Sequence, residues 1–212
     1  MNITPELVEK IVREVVSKQG VSADSVPIGI SNRHIHLSTA DVETLFGKGY
    51  TLTKLKDLSQ PGQYACKETL TIVGPSMRPI EGVRVLGPER KKTQVEISRT
   101  DSFQLKLKPP VRESGKTENS APITIIGPKG VISLDEGCII ANRHIHMSEQ
   151  EGERFGVKDC DYVTVELSGE RRTRFYDVQI RVHKDFRLEM HIDTDDANAA
   201  GVKNGDLATI VK

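Results

Sequence analysis

The segments FGVKDCDYVTV (155–165) and AGVKNGDLATI (200–210) are one pattern written twice. In each, a short helix ends at a glycine, a turn follows, and a strand begins. Cys160 falls opposite Gly205 in this alignment. A turn position of that kind argues against Cys160 as a metal ligand. Outward from this pair the chain keeps a strand-like pattern from residue 26 on. VPIGIS, ETLTIVGP, GVRVLGP, TQVEIS, FQLKLK, ITIIGP, CIIA, DYVTVEL, DVQIRVH and LATIVK all read as strands. Gly-Pro recurs at 74–75, 87–88 and 127–128 as turn punctuation. Many short strands broken by Gly and Pro point to a mainly β fold of barrels with short capping helices. KPPVRESGKTENSAP (108–122) is the most loop-like stretch and reads as mobile.

The doubled C-terminal pattern resembles the half-motif of double-psi-type β-barrels, in which two such halves interlock. The chain has 212 residues, enough for one large domain or two small ones. Aromatics make up 4% and Trp is absent, so any core must rest on Val, Ile and Leu. TPELVEKIVREVVSK (4–18) stands apart. Leu7, Val8, Ile11, Val12, Val15 and Val16 form one helical stripe, with Thr4 as N-cap, Pro5 at the first helical position and Gly20 as the stop. This N-terminal amphipathic helix (1–20) either packs on its own core or docks on a partner surface.

Four of the six histidines sit in two copies of one pentapeptide, NRHIH, at 32–36 and 142–146. On a strand, residues i and i+2 share a face, so His34 and His36 project together, as do His144 and His146. Such a pair can share one divalent metal. One copy is weak evidence; two copies in matching contexts are strong. Ser38 with Asp41 and Ser148 with Glu151 read as helix N-caps just past each pair, which would aim helix N–H groups at a bound anion. A third ligand is needed. His191, at the end of a strand in LEMHIDTDDANAAG, is preferred over His183, which precedes an apparent turn. For the pair left without it, Glu96, Cys66 and Cys138 all remain candidates.

Lys and Arg total 30, as do Asp and Glu, so the net charge is zero. That disfavours nucleic acid and membrane surfaces as partners. Three Cys form neither a CxxC nor an even framework, which suggests free thiols in a reducing, cytosolic compartment. No apolar run is long enough to span a membrane and no secretory signal is evident. Arg78, Arg84, Arg90, Lys91 and Lys92 form either a solvated face or a phosphate clamp. No nucleophile elbow, Walker loop or dinucleotide fingerprint occurs.

SNRHIHLS, GPERKKTQVEISRTD, ANRHIHMS and EMHIDTDDANAAGV together resemble the PduL-type phosphate acyltransferases of bacterial microcompartments, over about residues 25 to 212. The resemblance implies transfer of a propanoyl or acetyl group between coenzyme A and inorganic phosphate at a site with two zinc ions. By motif match, His34, His36 and Glu96 hold one metal, and His144, His146 and His191 hold the other. Arg90 matches the phosphate-handling arginine. The implied fold is two β-barrels with exchanged segments, one from 24–33 plus 142–212, the other from 34–141 with a small excursion near 48–68. A homodimer is implied, in the bacterial cytoplasm inside a microcompartment, with 4–18 as an encapsulation peptide contacting shell or lumen proteins. A dinuclear zinc hydrolase and a structural zinc protein of the shell are the competing expectations.

Overall fold

The computed structural model describes residues 25–211. The expected N-terminal helix lies outside these described residues. Strand β1 (Ser25–Ser31) opens the described chain, and β2 (His34–Ser38) follows at once and leads into helix α1 (Thr39–Phe46). Next come β3 (Lys54–Asp57), β4 (Tyr64–Val73), β5 (Pro79–Arg90), β6 (Gln94–Glu96), α2 (Arg99–Leu105), β7 (Val111–Arg112), β8 (Ala121–Ile126) and β9 (Val131–Ala141). The last third holds β10 (His144–Met147), α3 (Glu149–Phe155), β11 (Tyr162–Leu167), β12 (Thr173–Val182), β13 (Glu189–Asp193), α4 (Thr194–Ala200) and β14 (Leu207–Val211).

Two closed barrels result. The first runs β1–β13–β10–β12–β11–β14 and back to β1. The second closes as β4–β5–β2–β6–β9–β8, because β8 pairs with both β9 and β4; β3 and β7 hang on its edges. Closure removes the exposed edges that open sheets must protect. The two barrels share a wiring. β2 lies parallel to β5 and antiparallel to β6, as β10 lies parallel to β12 and antiparallel to β13. The strand before each NRHIH belongs to the opposite barrel: β1 closes the first and β9 closes the second. This is the exchange of segments expected from the resemblance.

Each barrel has its own aliphatic core. One gathers Ile35, Leu37, Val85, Val95 and Ile125, the other Ile145, Met147, Val178, Ile180 and Ile192. Period two sets which side chains enter. In His34-Ile35-His36-Leu37, Ile35 and Leu37 are fully buried in the barrel; in His144-Ile145-His146-Met147, Ile145 and Met147 are. Burying one such side chain contributes roughly 1.5–3 kcal/mol. A one-residue slip would expel these groups and bring imidazoles into the core, so the register is firmly specified. The turn positions Cys160 and Gly205 both have positive φ, 67° and 86°, as their alignment requires.

Three local expectations are corrected. FQLKLK is not a strand: its first half lies in α2, because Ser98 and Asp101 form a capping box that starts a helix, and Lys106 ends it in the left-handed region. Leu105 and Leu107 are buried all the same, so the alternation was real but its period was misread. Gly87-Pro88 is not a turn; it lies within β5. There a Cβ on residue 87 would come within 2.3 Å of the Tyr64 ring, so only glycine lets the two strands meet. The segment 108–122 is not a free loop: it carries β7, buries Thr117 and reaches into the cleft described next.

Candidate metal centre

The outward faces of β2, β5 and β6 look across at those of β10, β12 and β13. Between them lies a cleft of about 920 Å³. His34, His36, Glu96, His144, His146 and His191 all line it. Adjacent antiparallel strands supply each cluster. Glu96 stands directly opposite His34 in the β2–β6 ladder, and His191 directly opposite His144 in the β10–β13 ladder. Glu96 and His191 thus hold the same position in the two barrels. Within each group of three, the ligand-capable atoms lie within 4.8 Å of one another.

In the first group, His34 Nε2 is 3.4 Å from Glu96 Oε2, and His36 Nε2 is 4.0 Å from Glu96 Oε1. Glu96 accepts hydrogen bonds from Ser114 Oγ at 2.7 Å and from Gln94 Nε2 at 2.6 Å. In the second group, the His144 and His191 rings stack at 5.0 Å, and His146 meets both edge-on. The Asn and Arg of NRHIH have matching duties. The carbonyl oxygens of Asn32 and Asn142 each lie 2.8 Å from Nδ1 of the first histidine, which leaves its Nε2 free. Arg33 forms a two-point pair with Asp101 of α2, at 2.9 and 2.6 Å, and Arg143 pairs with Asp196 of α4 at 2.9 Å. Each arginine ties its histidine strand to the helix that follows the partner strand.

The donor set suits a divalent metal. Nδ1 of His36, Nδ1 of His146 and Nε2 of His191 are buried without a hydrogen-bond partner. Glu189 Oε2 approaches His191 Nε2 to 3.0 Å, but out of line for a hydrogen bond. Unpaired buried polar atoms are costly, and a cation at each triad would satisfy such atoms. The electrostatics of His36, His144, His146 and Glu96 agree, and His34 departs from them. Burial, then the neighbouring His191, lowers the pKa of His144 to about 4. Burial, with His144 and His191 beside it, lowers that of His146 to about 2. Burial and the His34 charge hold His36 well below its ordinary value. Burial also pulls His34 down, but the Glu96 charge, its hydrogen bond and the Asn32 carbonyl together outweigh it and the net shift is upward. Burial pushes Glu96 up, yet His34, His36 and Ser114 together bring it far below the usual carboxylate range. Neutral imidazoles and an ionised carboxylate are the ligand forms that metals take.

Arg90 comes from the end of β5, lines the cleft, and donates from Nη1 to Ser114 Oγ at 3.2 Å. Of the other basic candidates, Arg84 also lines the cleft and donates to the carbonyls of Cys66 and Lys67. Lys92 pairs with Glu118 and Glu136 instead. His183 is over half exposed beside Asp185 and belongs to neither cluster. Cys66 and Cys138 are buried free thiols, and neither joins a ligand group. Neither α1 nor α3 points its N-terminus into the cleft; Ser38 and Ser148 cap those ends.

Several cleft residues had no signal of their own in the sequence. Ser114 bridges Glu96 and Arg90. Glu113 lies 3.7 Å from Arg181, which faces the cleft from β12. Gln60, Phe186 and Glu189 complete one wall. Laying QVEISRTD (94–101) over EMHIDTDD (189–196) would have found part of this set, since it superposes Glu96 on His191 and Asp101 on Asp196. Among the described residues, no helix is long and apolar enough to cross a membrane.

The chain is similar to known proteins. The sequence model of the phosphate propanoyltransferase family matches residues 27–203. A phosphate propanoyltransferase of Lachnoclostridium phytofermentans is 55% identical over 208 residues, covering 97% of each chain. One of Thermotoga maritima is 60% identical over 186 residues, covering 87% of this chain and 88% of its own. One of Listeria monocytogenes is 46% identical over 206 residues, covering 97% of this chain and 94% of its own. With both histidine pairs, their partners and Arg90 inside the matched span, the chain belongs to the phosphate propanoyltransferase family.

Proposed function

We propose that the chain moves an acyl group between coenzyme A and phosphate: acyl-CoA and phosphate give acyl phosphate and CoA. The observation that carries this reading is that two metal-competent triads and Arg90 open onto one cleft. His34, His36 and Glu96 would hold one divalent ion, and His144, His146 and His191 the other; histidine and carboxylate donors suit zinc. When bound, such ions polarise a thioester carbonyl, offset charge on phosphate and accept a soft thiolate.

The protein's own groups supply the rest. Arg90 presents a planar fork that pairs with two phosphate oxygens and holds them in line with the carbonyl carbon. Ser114 keeps Arg90 and Glu96 in fixed relation by bonding to both. A phosphate oxygen attacks the thioester carbon, the carbon–sulfur bond breaks, and the thiolate leaves with the electron pair. A cysteine acyl-enzyme finds no support. Cys66 and Cys138 are buried, with thiol pKa values pushed up to about 11 and about 12 by burial, and Cys160 lies outside the cleft. Direct transfer is the simpler route.

Acetyl and propanoyl groups both suit this chemistry, with zinc as the ion at two per chain. The family resemblance supports a homodimer in the bacterial cytoplasm, inside a microcompartment, with residues 4–18 as its address. The deciding experiment is thiol release from acetyl-CoA and propanoyl-CoA, with and without phosphate, before and after chelation and zinc return. Release that needs both phosphate and metal is expected. Release without phosphate would make the protein a hydrolase, and no release at all would leave the triads a structural role.

A further inference from the structure

Apolar side chains line the cleft at several points, among them Leu55, Leu58 and Leu86, and one of them, Phe186, stands against a triad. Phe186 is the only phenylalanine among the described residues that line it. Its ring centroid sits 4.3 Å from that of His146, so it lies directly beside the second triad. The ring belongs to the turn that joins β12 to β13. A backbone bond from Phe186 N to the His183 carbonyl closes the turn at 3.0 Å, and the His183 ring flanks the phenyl at 5.3 Å.

The turn is also gripped from the other barrel. Gln60, on the excursion between β3 and β4, is 3% exposed. Its Nε2 donates to the Arg187 carbonyl at 3.0 Å, and its Oε1 accepts from Arg187 N at 3.2 Å. Both backbone groups next to Phe186 are therefore spoken for by one buried amide. Ser59, one residue earlier, hydrogen-bonds Glu189 on the far side of the same turn. A side chain held this way cannot easily swing aside to admit a larger neighbour, because well-packed walls do not deform continuously.

A thioester whose carbonyl reacts at the triads must place its acyl tail within a few atoms of them. Apolar contact is what a short alkyl chain seeks. We propose that Phe186 is the wall that sets the length of the acyl chain, and that Gln60 positions it through Arg187. This rests on the acyl-transfer reading above.

The test compares kcat/KM for acetyl-, propanoyl-, butanoyl- and hexanoyl-CoA, with phosphate, in the wild-type protein, Phe186→Ala, Phe186→Leu and Gln60→Ala. A hydrophobic pocket discriminates about tenfold or more per methylene. Phe186→Ala is expected to raise the butanoyl-to-propanoyl ratio about tenfold. Phe186→Leu and Gln60→Ala should shift it the same way by smaller factors, and bound metal per chain should stay at the wild-type level throughout. Phe186→Leu carries the comparison if Phe186→Ala does not fold. An unchanged ratio in the folded variants, or an equal fall for all four substrates, overturns the proposal. The two levels separate cleanly. A wild-type protein with no phosphate-dependent release refutes the acyl-transfer reading itself, whereas an active wild type with an unmoved ratio refutes only the role of Phe186.

Discussion

Replacing Glu96 by Gln removes one negative charge and one ligand while changing shape very little. The carboxylate accepts hydrogen bonds from Ser114 at 2.7 Å and Gln94 at 2.6 Å, and it faces His34 at 3.4 Å. The amide keeps one acceptor oxygen for Ser114 and Gln94 but turns two N–H donors toward the histidines. Structural zinc sites with four ligands bind with apparent free energies of ~10–16 kcal/mol, so one ligand is worth about 3 kcal/mol. That corresponds to more than about a hundredfold in affinity at the first triad. The second triad contains no group altered by this change, so its affinity should stand. Elemental analysis after dialysis against a metal-buffering chelator reads the outcome directly. The wild-type protein should retain two ions per chain, Glu96→Gln one, His191→Ala one, and the double variant none. Circular dichroism confirms that each variant is folded. If Glu96→Gln retained two ions, Glu96 would not be a ligand. If it lost both, the two triads would be one shared cluster, and the division argued from the strand register would fail.

Arg90→Ala should raise the phosphate KM or lower kcat by roughly 10- to 100-fold, the worth of a charge-assisted hydrogen bond, with Arg90→Lys in between; steady-state kinetics over a phosphate series checks it. Acid should destabilise the metal-free protein. An unfolded His144 takes up a proton as pH falls through about 6.5, while the folded ring resists until about 4. Stability is therefore full above pH 6.5 and lost between 6.5 and 4, by about 3 kcal/mol from this group. His146, depressed to about 2, acts in the same direction. His34, raised by Glu96, has the opposite sign and loses its contribution as pH rises through its folded value. Urea midpoints of chelated protein should thus fall from pH 7 to pH 5, and equal midpoints would count against the assignment. Ile145→Ala, at a fully buried site between two candidate ligand histidines, should cost ~2–5 kcal/mol in urea unfolding and also speed metal release to a chelator.

How much of this was legible depends on the range of the signal. NRHIH was readable because its letters act locally: period two sends Ile35 and Ile145 inward and the histidines outward, whatever the rest of the chain does. The third member of each candidate ligand group was not local. From the residues alone, Glu96, Cys66 and Cys138 stood level, because what separates them is which strand pairs with β2, and that is set by barrel closure. Cys66 lies on β4 and Cys138 on β9, neither of which adjoins β2. Ser114 was least legible of all. Its segment has the composition of a loop, and its hydroxyl matters only because β7 lies along β9 and brings it to Glu96. FQLKLK misled for the converse reason: a strand-like alternation was overruled by the Ser98–Asp101 capping box just upstream.

Quasi-equivalence between the barrels gives the difference between the two sites its meaning. The wiring, the ligand pairs, the backbone carbonyl behind the first histidine and the arginine tie to the following helix recur in both. What differs is concentrated at the paired strand. Where the first barrel has Gln94 and Glu96, the second has Glu189 and His191. An ion held by two imidazoles and a carboxylate keeps less net charge than one held by three imidazoles. The two ligand sets would thus differ by one charge, although the Glu189 carboxylate stands 3.0 Å from His191 Nε2 beside the second. Glu96→His would erase that asymmetry while keeping three ligands. If the asymmetry matters, this variant should hold two ions and still lose turnover, whereas full activity with two ions would show that the barrels are interchangeable in chemistry as well as in fold.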